Sequence, residues 1–132
     1  MKVMALDFGS ARTGVAVSDP TGTVARPLGV VERAATEAGL AELARLVREE
    51  EAERVVVGLP LTLRGTRGEQ AVETERFAEA LRGILDVPVE LFDERFTTDL
   101  AQQTPHAAAA VDALAAAHLL SDWLERWSPA TS

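Results

Sequence analysis

Apolar residues along this chain follow two periods, and the change from one to the other divides it. In the first third they run together or alternate, as strands do. Residues 3–8 form a nearly continuous apolar run ending at Gly9, and 13–18 (Thr-Gly-Val-Ala-Val-Ser) form a second. The short link Gly9-Ser-Ala-Arg12 predicts a tight hairpin between them. Asp19-Pro-Thr-Gly22 has the residues of a type I turn, with Asp first, Pro second and Gly fourth, so a third strand is expected over about 23–31. Beyond it the spacing becomes helical: Leu40, Leu43, Ala44 and Val47 recur behind Thr36, a suitable cap. A strand of the fully buried kind comes next at 54–58 (Arg-Val-Val-Val-Gly), closed by Leu59-Pro60. A glycine-rich loop, Arg64-Gly-Thr-Arg-Gly68, leads into a second helix carrying Phe77, Leu81 and Ile84 on one face, and 87–92 read as a fifth strand. A short helix is expected from Thr97 or Thr98 to before Pro105, then a last one over about 107–127 and a loose tail at 128–132.

The predicted order is β-β-β-α-β-α-β-α-α. Three hairpin-linked strands and then two α-β crossovers give an α/β fold: a mixed five-stranded sheet, three strands antiparallel and then two parallel, with helices on both faces. That element order resembles the ribonuclease H-like architecture. There is no internal repeat, linker or composition break, so residues 1–132 are expected to form a single domain.

Composition narrows the picture in two places. With no cysteine, disulfides and thiolate metal sites are excluded. No run reaches roughly 18 uninterrupted apolar residues, and Asp7 interrupts the N-terminus before a signal-peptide core can form. No membrane partner is expected, and the cytoplasm is the expected compartment. The net charge of −8 argues against a broad electrostatic grip on nucleic acid. Arg12, Arg26, Arg64 and Arg67 nevertheless fall in predicted loops or strand edges. A locally basic rim on an acidic body is one reading of them, and scattered solvated arginines the other.

Candidate chemistry lies where apolar runs end in acid. Asp7 ends the first strand, and Gly9 beyond it would let a phosphate approach the backbone; alternatively Asp7 only opens a hairpin. Asp93, Glu94 and Arg95 end the fifth strand, with Thr97 and Thr98 able to cap a helix after it. Asp93 and Glu94 alternate across the strand end, so only one of them can readily face Asp7. Asp112 shares a helical row with Ala116, Leu119 and Trp123, an apolar face on which a carboxylate is costly unless paired or bound to a cation. Ala108, Ala109, Ala115 and Ala116 are small enough to let that helix sit close to the sheet. Three acids gathered by one small sheet are what a hard divalent cation needs. His106 and His118 are not spaced as a metal pair, and the 64–68 loop lacks the Lys-Ser/Thr ending of a nucleotide P-loop.

Three segments, DFGSARTGVAVSD at 7–19, GLPLTLRG at 58–65 and DERFTT at 93–98, occur in this order and together resemble the YqgF/RuvX-like family. These are small bacterial proteins of ribonuclease H-like fold related to the RuvC junction resolvases. The resemblance spans nearly the whole chain. It implies a nuclease dependent on Mg²⁺ or Mn²⁺, described for the family both as maturing the 5′ end of 16S ribosomal RNA and as resolving Holliday junctions. Carried over by position, the family's acids fall on Asp7, Glu94 and Asp112, which would serve as catalytic residues and metal ligands. In such chemistry two cations about 3.5–4 Å apart activate water and steady the leaving oxygen. Arg12, Arg64, Arg67 and Arg95, with Thr97 and Thr98, are the expected substrate contacts. The partner would be nucleic acid, structured RNA or branched DNA, bound by a monomer or a homodimer. The chain departs from the family between Arg95 and Asp112, where lysines are expected and neither Lys nor Arg occurs.

Two other classes fit parts of the pattern. A non-catalytic nucleic-acid-binding module would explain the acidic balance and the lysine-free link. A phosphotransferase of the actin/sugar-kinase type would share an Asp-x-Gly phosphate loop after its first strand, but such proteins close two domains over ATP.

Overall fold

The structure, a computed structural model, describes residues 1–9, 11–59, 68–93 and 108–126. Its strands are β1 (Val3–Asp7), β2 (Arg12–Ser18), β3 (Ala25–Glu32), β4 (Arg54–Leu59) and β5 (Val89–Asp93). Its helices are α1 (Glu37–Glu50), α2 (Glu69–Arg82) and α3 (Ala108–Arg126). The sheet has the order β3-β2-β1-β4-β5, antiparallel between β1, β2 and β3 and parallel from β1 to β4 to β5. This is the mixed sheet that the sequence predicts. The short helix expected before Pro105 lies outside the described residues.

Local signals explain most of the boundaries. Thr36 caps α1, its hydroxyl accepting from the Gly39 amide at 3.2 Å. In the turn after β2 the Gly22 amide donates to the Asp19 carbonyl at 2.9 Å, and Gly22 has a φ of 73° that a side chain would strain. One expectation fails at a helix end. Ile84 does not share the buried face of Phe77 and Leu81: α2 stops at Arg82, Gly83 caps it, and Ile84 is 48% exposed.

Alternation along the strands sorts the core onto two faces. Met4, Leu6, Phe8, Val15, Val55 and Val57 pack with Leu43 and Val47 of α1 and with Phe77 and Leu81 of α2. Val3, Ala5, Ala16 and Val56 pack on the other face against Ala116, Leu119, Leu120 and Trp123 of α3. The C-terminal half of α3 is also tied to β5: the Trp123 indole donates to Glu90 at 2.8 Å, and Arg54 reaches the same carboxylate at 2.9 Å.

The N-terminal half of α3 makes a closer contact. A Cβ at Gly14 of β2 would lie 1.9 Å from the Asp112 carbonyl oxygen and 2.4 Å from its carbon. Only glycine lets the helix backbone rest directly on the strand there. We expect Gly14→Ala to lower stability by about 1–3 kcal/mol through overpacking. Gly29→Ala in β3, where an added Cβ would meet nothing within 4 Å, should stay within about 0.5 kcal/mol of wild type. Chemical denaturation of the two variants checks the contrast, and equal stabilities would contradict the contact.

Candidate active site

The same alternation that builds the core sets Asp7. Val3 and Ala5 of β1 face α3, and Asp7 is the next residue of that parity. Its antiparallel partner on β2 is Gly14, the residue on which the Asp112 backbone rests. Asp112 in turn begins the row that continues through Ala116, Leu119 and Trp123, all buried on the sheet. One missing side chain therefore brings an acid from the first strand and an acid from the last helix to the same end of the sheet.

The two carboxylates differ in surroundings. Asp7 is the more enclosed, and its pKa is pushed up to about 6, first by burial and then by the negative charge of Asp112. Asp112 keeps a side-chain exposure of 27% and pairs with Arg12, whose Nε donates to Oδ2 at 2.8 Å. Asp19, only twelve positions along the same motif, provides the contrast. Its carboxylate accepts from the Thr21 hydroxyl and from the Val24 and Thr23 amides, which hold it below the usual carboxylate range. Asp19 is satisfied as an anion by its own turn, whereas burial and Asp112 oppose the ionised form of Asp7.

Of the residues expected to carry function, Asp7, Arg12 and Asp112 are brought together. Glu94, Arg64, Arg67, Arg95, Thr97 and Thr98 lie outside the described residues, as does the lysine-free link before the last helix. The backbone of β5 ends at Asp93, at the same end of the sheet as Asp7, since Val57 pairs with both Leu6 and Leu91. Among the described residues no three acids or histidines group closely enough to hold a metal. Of the arginines read as a possible basic rim, only Arg12 and Arg26 are among the described residues. Arg26 sits at the far end of the sheet, in register with Val17 and Met4, and approaches Glu50 at 3.5 Å.

Sequence reasoning missed two parts of this arrangement. Gly14 reads only as a glycine inside a strand, a signal that marks either a bulge or a close backbone approach without choosing. The Arg12–Asp112 pair joins residues 100 positions apart, and nothing local connects them.

Comparison with known proteins agrees with the fold and the motifs. The profile of the RuvX family, described as "Holliday junction resolvase", matches residues 1–126. A relative from Chloroflexus aurantiacus bearing the name "Putative pre-16S rRNA nuclease" is 43% identical over 131 residues, covering 93% of this chain and 86% of its own. A second of that name, from an Anaeromyxobacter species, is 42% identical over 133 residues and covers 95% of this chain and 97% of its own. Among solved structures, Thermus thermophilus RuvC in complex with a Holliday junction substrate superposes with a TM-score of 0.62 at 18% identity, covering 96% of this chain and 94% of its own. At that identity the likeness speaks for the fold.

The raised pKa of Asp7 has a stability consequence with a definite sign. Between the model-compound value of 3.8 and about 6 the folded state keeps a proton that the unfolded chain has released. Stability contributed by the neutral acid is therefore complete below about pH 4 and lost as pH rises through 6, a difference on the order of 3 kcal/mol. In metal-free buffer Asp7→Asn should melt above wild type at pH 7.5, with the gap closing toward pH 4. A variant that melts with or below wild type at pH 7.5 would contradict the desolvated, like-charged setting.

Proposed function

The chain belongs to the RuvX family, and on that premise we propose that it is a divalent-metal-dependent nuclease acting in 5′-end maturation of 16S ribosomal RNA. The convergence of Asp7 and Asp112 at Gly14 is the observation that carries this reading. The relatives' name supports the substrate, and the cytoplasm, where ribosomes are assembled, is the compartment it implies. No described helix is long and apolar enough to cross a membrane.

The residues present fit a hard cation. Both are carboxylates, the oxygen donors that Mg²⁺ and Mn²⁺ prefer. Asp7 is also enclosed beside a second negative charge, a setting that opposes its ionised form and that a cation would reverse. Glu94 completes the set by family position. In this reading Mg²⁺ or Mn²⁺, as a pair of ions, supplies the activated water and neutralises charge at the leaving oxygen.

The protein's own groups do the rest. Asp7 and Asp112 would hold the ions, and so set where a phosphodiester can react relative to the sheet end, because one is carried by a strand and the other by a helix seated on it. Asp7 must be ionised to serve, so activity in the presence of metal should not follow the metal-free pKa. Arg64, Arg67 and Arg95, with Thr97 and Thr98, are the proposed contacts to flanking phosphates. With a net charge of −8, affinity rests on such local contacts rather than on the overall field.

A second reading, Holliday junction resolution, is favoured by the description of the family profile. A resolvase cuts two strands symmetrically and would work as a dimer. Incubation with Mn²⁺, a labelled 16S precursor fragment and a labelled four-way DNA junction separates the readings, with Asp7→Asn as control. We expect the RNA to be cut by wild type, and Asp7→Asn to be slower by at least about 10²-fold, the scale of losing a charge-stabilising group. Cleavage of the junction alone would move the second reading to first place. Cleavage of neither by folded protein would leave a non-catalytic binding module.

A further inference from the structure

Arg12 stands out because it occupies a place the proposed chemistry needs for something else. It opens β2, two residues before Gly14, so its side chain leaves the sheet on the same face and at the same end as Asp7 and Asp112. The guanidinium is bound to Asp112 through Nε at 2.8 Å. A fixed positive group thus sits on one of the two carboxylates proposed to hold a cation.

We propose that Arg12 is the resident counter-ion of this site, holding Asp112 in place until a divalent cation takes the carboxylate and then turning to a phosphate of the substrate. The proposal rests on the metal-dependent nuclease reading and adds to it an order of events. The pair is suited to exchange. With side-chain exposures of 44% for Arg12 and 27% for Asp112, it resembles partly solvated ion pairs, which are worth no more than about 1 kcal/mol. A doubly charged ion that also draws on Asp7 outcompetes a single guanidinium for the same oxygen. Charge favours the exchange as well, because the contact of Arg12 with Asp112 leaves Asp7 beside it to attract a cation.

Once displaced, Arg12 keeps its charge and its planar fork of donors. That geometry matches a phosphate bidentately and would stand within a side chain's length of Asp112. The arrangement would also couple the two bindings. Metal loading frees the arginine for substrate, and substrate phosphate in turn draws the arginine away from the metal ligand. By linkage each should strengthen the other. A permanent Arg12–Asp112 brace predicts the reverse for metal, because removing the brace would loosen a ligand.

The test compares Mn²⁺ binding, read by electron paramagnetic resonance or calorimetry without substrate, in wild type, Arg12→Gln, Arg12→Lys and Asp7→Asn. We expect Arg12→Gln to bind Mn²⁺ about two- to fivefold more tightly than wild type, the range an exposed ion pair can supply. Arg12→Lys, which keeps the competing charge, should return toward the wild-type affinity. The nucleic acid that wild type cleaves should show a KM raised more than kcat is lowered in Arg12→Gln. Mn²⁺ binding by Arg12→Gln that is equal to or weaker than wild type overturns the exchange, while the loss of binding in Asp7→Asn still upholds the metal site. If Asp7→Asn binds Mn²⁺ as wild type does, the metal site itself is wrong and the exchange falls with it. A KM unmoved in Arg12→Gln removes the phosphate half of the proposal.

Discussion

How closely α3 can lie against β2 is the constraint on which the site depends. The helix is seated by Leu119, Leu120 and Trp123 over Val3, Ala5, Ala16 and Val56, an ordinary apolar contact. At its N-terminal end that packing would hold the backbone off the sheet if β2 carried a side chain, and Gly14 removes the obstacle. Because Gly14 is in register with Asp7, the point of closest approach is also the point where the two acids meet. Packing and chemistry are thus fixed by one absent methyl group, and neither can be adjusted without the other.

The arrangement works against the stability of the metal-free fold. A carboxylate enclosed beside a second carboxylate is held in its neutral form up to about pH 6, and its ionisation at neutral pH weakens the folded state. Arg12 relieves the outer acid, Asp112, by direct contact. The inner one, Asp7, has no such contact with Arg12 and is the acid whose ionised form a cation would stabilise. Other charges are satisfied locally, Asp19 in its turn and Arg45 between Glu42 and Glu49 on α1. The raised pKa of Asp7, enclosed beside Asp112, is what marks this end of the sheet as a candidate site.

Much of this was legible from periodicity and turn chemistry. Continuous or alternating apolar runs located the strands, Thr36 marked the start of α1, and the Asp-Pro-Thr-Gly turn divided β2 from β3, because these signals act over a few residues. The row through Asp112, Ala116, Leu119 and Trp123 placed an acid on an apolar face, while the side of the sheet on which Asp7 lies follows only once α3 is seen packed on Val3 and Ala5. Two kinds of feature escaped. Ile84 was grouped with the buried face of α2 because its spacing fits, but Gly83 ends the helix before that spacing applies. From sequence Arg12 is a loop cation and an expected phosphate contact, and Gly14 a strand glycine; their roles against Asp112 depend on a helix a hundred residues away. Small residues were expected on the helix to allow close packing, whereas the decisive one lies on the strand.

The most direct measurement of the central claim is the carboxyl ¹³C titration of Asp7, observed by NMR in metal-free protein and again with saturating Mg²⁺. The account predicts a midpoint near 6 without metal, and a midpoint well below that with Mg²⁺, because the ion stabilises the carboxylate that burial and Asp112 oppose. A midpoint near the ordinary 3.8 without metal, or one that Mg²⁺ leaves where it was, would mean that Asp7 and Asp112 do not form a cation site.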